Sequence, residues 1–131
     1  QDASVCREEW KDSADVVLCD VPCSGLGIIR KKPEIRFKNP DEIRTLPEIQ
    51  ARILANCAQY VKKGGTLVYS TCTILQRENE DVVRAFLTEK PEFEAVSWTH
   101  PVCGERADGM VTLLPPVHNT DGFFIAKMHR K

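Results

Sequence analysis

Two short segments carry the residue types from which a covalent catalyst is built: Asp20-Val21-Pro22-Cys23-Ser24-Gly25 and Ser70-Thr71-Cys72-Thr73, with Cys72 49 residues after Cys23. Carbon 5 of a pyrimidine is a poor nucleophile. Addition of a thiolate to carbon 6 turns carbons 5 and 6 into an enamine-like system that accepts a methyl group, so covalent catalysis makes the hard step feasible. Charge develops on the ring as the sulfur attacks, and an acid group hydrogen-bonded to the base's Watson–Crick edge would stabilise it, a role open to Asp20. The carbon-5 proton must then leave and the thiol be expelled, which calls for a second acid–base group; the other cysteine can serve.

That chemistry requires the two thiols to share a crevice, and the flanking elements predict that they do. Val16-Val17-Leu18-Cys19 is a β-prone apolar run ending at Asp20, Pro22, Gly25 and Gly27, which reads as a strand buried on both faces, as in parallel sheets. Thr45-Leu46-Pro47-Glu48 reads as a capping box with Pro in the first turn of a helix, followed by Ile49, Ile53, Leu54, Cys57, Tyr60 and Val61 at helical spacing. Lys62 and Lys63 suit the negative end of that helix, and Gly64-Gly65 would stop it. Thr66 to Thr71 is a second β-rich strand, giving way after Cys72-Thr73 to a helix with Val82, Val83, Phe86 and Leu87 on one face. Further strands are expected within Phe93 to Trp98, Met110 to Leu114 and Gly122 to Met128, with short turns that suggest an antiparallel edge. The pattern predicts an α/β, partial Rossmann-like fold of parallel strands with crossover helices and an antiparallel edge at the carboxyl end. In such sheets the working groups sit at the carboxyl ends of the strands, where both cysteines fall.

Composition narrows the class. At 131 residues, 42% hydrophobic and 28% charged, the chain suits one globular domain rather than a disordered or low-complexity one. No apolar run is long enough for a signal or a bilayer span, so a cytoplasmic, soluble protein with no membrane partner is expected. The opening at Gln1, close to a strand, leads us to expect a piece of something longer. Six cysteines invite a disulfide or zinc reading, but there is no Cys-x-x-Cys pair, and His100, His118 and His129 lie at the far end. Unpaired thiols without a metal are therefore expected, with Cys6, Cys19, Cys57 and Cys103 simply packing. The net charge of −1 hides one basic run, Arg30 to Lys38, with five basic residues among nine. Such runs are by default solvated faces; beside the Pro22-Cys23 loop this one suits a nucleic-acid backbone. Asp121 reads as a turn cap and His118 as a surface-loop residue.

The blocks Asp20-Val21-Pro22-Cys23-Ser24-Gly25-Leu26-Gly27, Arg30-Lys31-Lys32-Pro33-Glu34-Ile35, Gly64 to Thr73 and Thr120-Asp121-Gly122-Phe123-Phe124-Ile125-Ala126-Lys127 together resemble the Sun-type RNA (cytosine-5) methyltransferases, and most closely the members acting on small-subunit ribosomal RNA. The blocks run in the family's order over nearly the whole chain. The resemblance implies methyl transfer from S-adenosyl-L-methionine to carbon 5 of a cytosine in 16S ribosomal RNA. It carries the nucleophile to Cys72, product release to Cys23, and contact with both base and methyl donor to Asp20. By the same resemblance Gln1-Asp2-Ala3 matches the acidic motif at the cofactor's adenine, which assigns Asp2 to cofactor binding; Arg30 and Lys32, in the basic run beside the Pro22-Cys23 loop, are assigned to RNA.

The family's glycine-rich cofactor loop and ribose-holding acid are absent here; Gly25-x-Gly27 follows the Pro-Cys motif and lacks the strand–turn–helix context. The resemblance thus implies that residues 1–131 are the carboxy-terminal portion of a catalytic domain, inactive alone. The alternatives are a non-catalytic half-domain that binds RNA or self-associates through exposed sheet edges, and a transfer RNA cytosine-5 methyltransferase. Cys23 is the runner-up nucleophile, by comparison with DNA cytosine methyltransferases. A thiol redox or zinc protein is disfavoured by the cysteine spacing.

Overall fold

The computed structural model describes residues 7–23, 40–73, 75–100, 104–106, 108–113 and 122–131. Strand β1 (Ala14–Asp20) leads to helix α1 (Pro40–Ala58) and strand β2 (Val61–Thr71); a 3-10 turn (Gln76–Glu78) enters helix α2 (Glu80–Glu89). Strands β3 (Phe93–Ala95), β4 (Trp98–His100), β5 (Gly104–Arg106), β6 (Met110–Leu113) and β7 (Phe123–Arg130) complete the described chain. The main sheet runs β1-β2-β7, with β3 and β6 sharing the far edge of β7, while β4 and β5 form a separate hairpin. β1 and β2 are parallel, with Cys19 opposite Tyr69 and Asp20 opposite Ser70; β7 is antiparallel to β2, β3 and β6. The antiparallel strand is therefore inside the sheet, and the fold is mixed α/β as expected.

The core lies under one face. Cys19, Leu67, Tyr69, Phe124, Ala126 and Met128 point toward α1 and α2, which contribute Ile53, Leu54, Cys57, Val82, Val83 and Phe86. Phe86 and Phe93 pack tilted at 57°, with 5.2 Å between ring centroids, pinning α2 to β3.

Three expectations need correction. β1 is not buried on both faces: Val16 is 64% and Leu18 67% exposed, on the side away from α1 and α2. A four-residue apolar run does not distinguish one covered face from two. Helix α1 begins at Pro40, before the Thr45 box, so Pro47 lies inside it; Pro40-Asp41-Glu42 offers a stronger start, with Pro preset for the first position and acids at the positive helix end. On this helix Ile49 is 38% exposed and Gln50 is buried in its place. The helix also ends at Ala58, and Lys62, Lys63, Gly64 and Gly65 belong to β2. Ala14 pairs with Val61 but Val16 with Thr66, so β2 bulges between them. Gly64 takes φ +82°, and a Cβ on Gly65 would lie 2.8 Å from Val61 Cγ1, which explains both glycines without a helix stop. Lys62 forms an ion pair with Asp15 rather than closing a helix.

Candidate active site

The parallel pairing of β1 and β2 delivers their carboxyl ends side by side, and the ladder runs one step past β1, where the Val21 N–H donates to the Ser70 carbonyl at 3.2 Å. Cys23 Sγ and Cys72 Sγ come to 3.0 Å, and the Cys72 N–H donates to Cys23 Sγ at 3.3 Å. Both are half-buried, reduced thiols. Asp20 is exposed at the tip of β1, where Ser70 Oγ donates to its Oδ1 at 3.1 Å. The three residues singled out in the sequence line one cleft of about 400 Å³, together with Pro22, Ser70, Leu113, Phe123 and Ile125. A volume of this size, lined by apolar side chains with a few polar groups among them, suits a small ligand.

Below the cleft lies a buried polar network absent from the expectations. Gln50, Thr71, Thr73, Glu78 and Asn79 are each no more than 1% exposed. Thr71 Oγ1 donates to Asn79 Oδ1 (2.6 Å) and Asn79 Nδ2 to the Thr73 carbonyl (3.0 Å), so Asn79 holds both neighbours of Cys72. Thr73 Oγ1 donates to Glu78 Oε2 (3.0 Å), while Gln50 Nε2 donates to Glu78 Oε1 and to the Pro22 carbonyl, both at 3.0 Å. Tyr69 donates its hydroxyl to the Glu78 carbonyl at 2.6 Å. Burial pushes the Tyr69 pKa well above its ordinary value, helped by nearby Cys19, Glu78 and Cys23, so the phenol stays a donor. Gln50 was legible as a polar residue on the Ile53, Leu54, Cys57 stripe of α1. Glu78 and Asn79 were not, because Gln76-Arg77-Glu78-Asn79-Glu80 is polar throughout and reads as surface.

Cys19 and Cys57 pack as expected, buried and reduced. Their mutual hydrogen bond, and then burial, push the Cys19 thiol far up, which makes it inert near neutrality. Asp2, Arg30, Lys32, Cys6, Cys103, His118 and Asp121 lie outside the described residues. Among the described residues no group of three or more His, Cys, Asp or Glu is placed to hold a metal, and no helix is long and apolar enough to cross a membrane.

A family model described as 16S rRNA methyltransferase RsmB/F matches residues 1–129. A probable ribosomal RNA small subunit methyltransferase B from Bacillus subtilis is 46% identical over 89% of this chain and 28% of its own length. Two solved structures from Pyrococcus horikoshii share the fold. A methyltransferase homologue gives a TM-score of 0.71 at 31% identity, over 89% of this chain and 39% of that one. An NSun6 solved with SFG gives 0.71 at 27% identity, over 86% of this chain and 29% of that one. The chain thus spans under a third of the length of the curated relatives it matches.

Proposed function

Because the chain belongs to the RsmB/F family of 16S ribosomal RNA methyltransferases, we propose that it supplies the catalytic cysteines for S-adenosyl-L-methionine-dependent methylation of carbon 5 of a cytosine in small-subunit ribosomal RNA. The observation that carries this reading is the meeting of Cys23, Cys72 and Asp20 at the carboxyl ends of two parallel strands. Cys72 Sγ adds to carbon 6 of a flipped base, raising the electron density at carbon 5. Asp20, steadied by Ser70, binds the base's polar edge as charge develops on the ring. Once carbon 5 has been alkylated, a base takes its proton, a step for which the Cys23 sulfur is in reach; the released electron pair re-forms the carbon 5–carbon 6 double bond and the carbon 6–sulfur bond breaks, releasing Cys72 as a thiolate.

An exposed carboxyl group beside a partly apolar cleft fits a positively charged sulfonium donor, so Asp20 would hold the methyl end of S-adenosyl-L-methionine and Asp2 its adenine. Bound there, the cofactor supplies an electrophilic methyl group. Arg30 and Lys32 would contact the RNA backbone. We read residues 1–131 as the carboxy-terminal portion of the catalytic domain. The uncovered face carrying Val16 and Leu18 supports that reading, since further elements would cover it.

Covalent trapping tests the proposal, on the chain joined to the upstream region its relatives have, with S-adenosyl-L-methionine and RNA carrying 5-fluorocytosine. Wild type should form an adduct and Cys72→Ala none. Cys23→Ala should form it and also accumulate one on ordinary cytosine RNA. Loss of the adduct only in Cys23→Ala would reverse the two roles. No adduct in wild type would remove the cytosine reading and favour a non-catalytic, RNA-binding half-domain.

A further inference from the structure

We propose that Gln50 is a positioning residue that sets the separation of the two thiols. Its effect on chemistry rests on the roles just given to Cys23 and Cys72; its effect on geometry does not. The carbonyl of Pro22 belongs to the peptide unit that leads into Cys23, and that unit is planar, so fixing the oxygen fixes where Cys23 starts. Gln50 Nε2 holds this oxygen with one hydrogen and Glu78 Oε1 with the other, both at 3.0 Å. Glu78 Oε2 in turn accepts from Thr73, the residue after Cys72. One amide group on α1 therefore ties the Cys23 loop to the Cys72 loop through a single carboxyl group, and the sulfurs meet at 3.0 Å above it.

The orientation of the amide is unambiguous, because both neighbouring atoms accept and only the NH₂ end can satisfy them. Its other end, Gln50 Oε1, is buried with no hydrogen-bond partner among the described residues. The nitrogen is what the site uses.

The thiol separation can be read without RNA or methyl donor, from the equilibrium between the protein and glutathione. Cys23 and Cys72 together give two electrons and two protons to one glutathione disulfide, forming one protein disulfide and two glutathione thiols. The resulting effective concentration reports how well the sulfurs are juxtaposed. Peptide mapping identifies the Cys23–Cys72 bridge among the other cysteines.

Gln50→Leu should lower that effective concentration about tenfold, the scale of a buried hydrogen bond broken with its acceptor left bare. Thr73→Val, a milder change at the other end of the clamp, should lower it by a smaller factor in the same direction. Phe86→Leu, which loosens the α2–β3 packing away from the cleft, should leave it within about twofold, as expected of independent sites. An equal fall in Phe86→Leu would reduce the effect to general stability and overturn the proposal. So would unchanged values in both Gln50→Leu and Thr73→Val; if Gln50→Leu does not fold, Thr73→Val decides. In the RNA assay Gln50→Leu should accumulate adduct on ordinary cytosine as Cys23→Ala does. If wild type traps no RNA while the glutathione result holds, the cytosine reading fails and the clamp stands.

Discussion

Cys23 Sγ and Cys72 Sγ lie 3.0 Å apart at the ends of adjacent parallel strands, and the Cys72 N–H donates to the Cys23 sulfur. One thiol can thus hold the proton that the other releases. The sulfurs are in contact, so bulky substituents on both at once would collide, whereas one alone can extend into the cleft.

Alkylation should therefore be mutually exclusive at this pair. With iodoacetamide on the native chain, intact-mass and peptide analysis should find carbamidomethyl on Cys23 or Cys72 but rarely on both in one molecule. Cys19 should react at least about a hundredfold more slowly, since it must await local opening and its thiol is held protonated by Cys57 and burial. Double labelling at the product of the single-site frequencies would contradict the observed contact.

Asp20→Asn should separate binding from chemistry. The amide keeps the size of the group and its acceptor for Ser70 Oγ, but loses the carboxyl group's ability to share a proton with the electron-rich ring and its charge opposite the sulfonium methyl donor. In the assembled enzyme kcat should fall by about 10²–10³, the usual effect of removing one preorganised electrostatic contact, with a smaller change in KM for RNA. An unchanged kcat would remove Asp20 from the reacting centre.

How much of this was legible in the sequence differs between elements. The neighbouring of Cys23 and Cys72 followed from strand–helix–strand topology alone, because a parallel pair with one crossover has few arrangements. Asp20 followed with them, as the last residue of its strand. Gly64-Gly65 misled because a helix stop and a strand bulge call on the same glycine conformations. Val16 and Leu18 misled because a short continuous apolar run does not say whether anything covers the second face. The Glu78–Asn79 support was hidden for a different reason: its burial comes from tertiary contacts with Gln50 and Tyr69, residues 28 and 9 positions away. No local pattern encodes those contacts.

Tyr69 should make the fold alkali-sensitive. Its pKa is raised in the native state by burial, so above the unfolded value of 10.0 the native chain keeps a proton that the unfolded chain has lost. Stability is then full below that pH and falls as pH rises, with a slope near 1.4 kcal/mol per pH unit for this proton. Tyr69→Phe should cost about 1 kcal/mol near neutrality by losing the bond to the Glu78 carbonyl. It should also flatten the alkaline slope by about one proton's worth, as read from urea midpoints between about pH 8 and pH 11. An unaltered slope would mean that another group carries the alkaline limb.

Leu18 tests what covers the open face of β1. Val16 and Leu18 project from an edge strand at 64% and 67% exposure, next to one another on the side away from both helices. Exposed aliphatic side chains on an edge strand favour association, by stacking of faces or by pairing of free backbone groups. The 131-residue chain should therefore self-associate at about 100 µM, within the range where uncovered sheet surface aggregates. Leu18→Lys should shift it toward monomer in sedimentation velocity while changing unfolding free energy by no more than about 0.5 kcal/mol, as for other surface sites. In the chain joined to the upstream region of its relatives the same substitution should instead cost about 2 kcal/mol, because Leu18 would then lie inside a packed layer and its ammonium replacement would be buried. Equal tolerance in both forms would mean that β1 remains an uncovered edge in the larger protein too, and would overturn the reading of residues 1–131 as the carboxy-terminal portion of a larger catalytic domain.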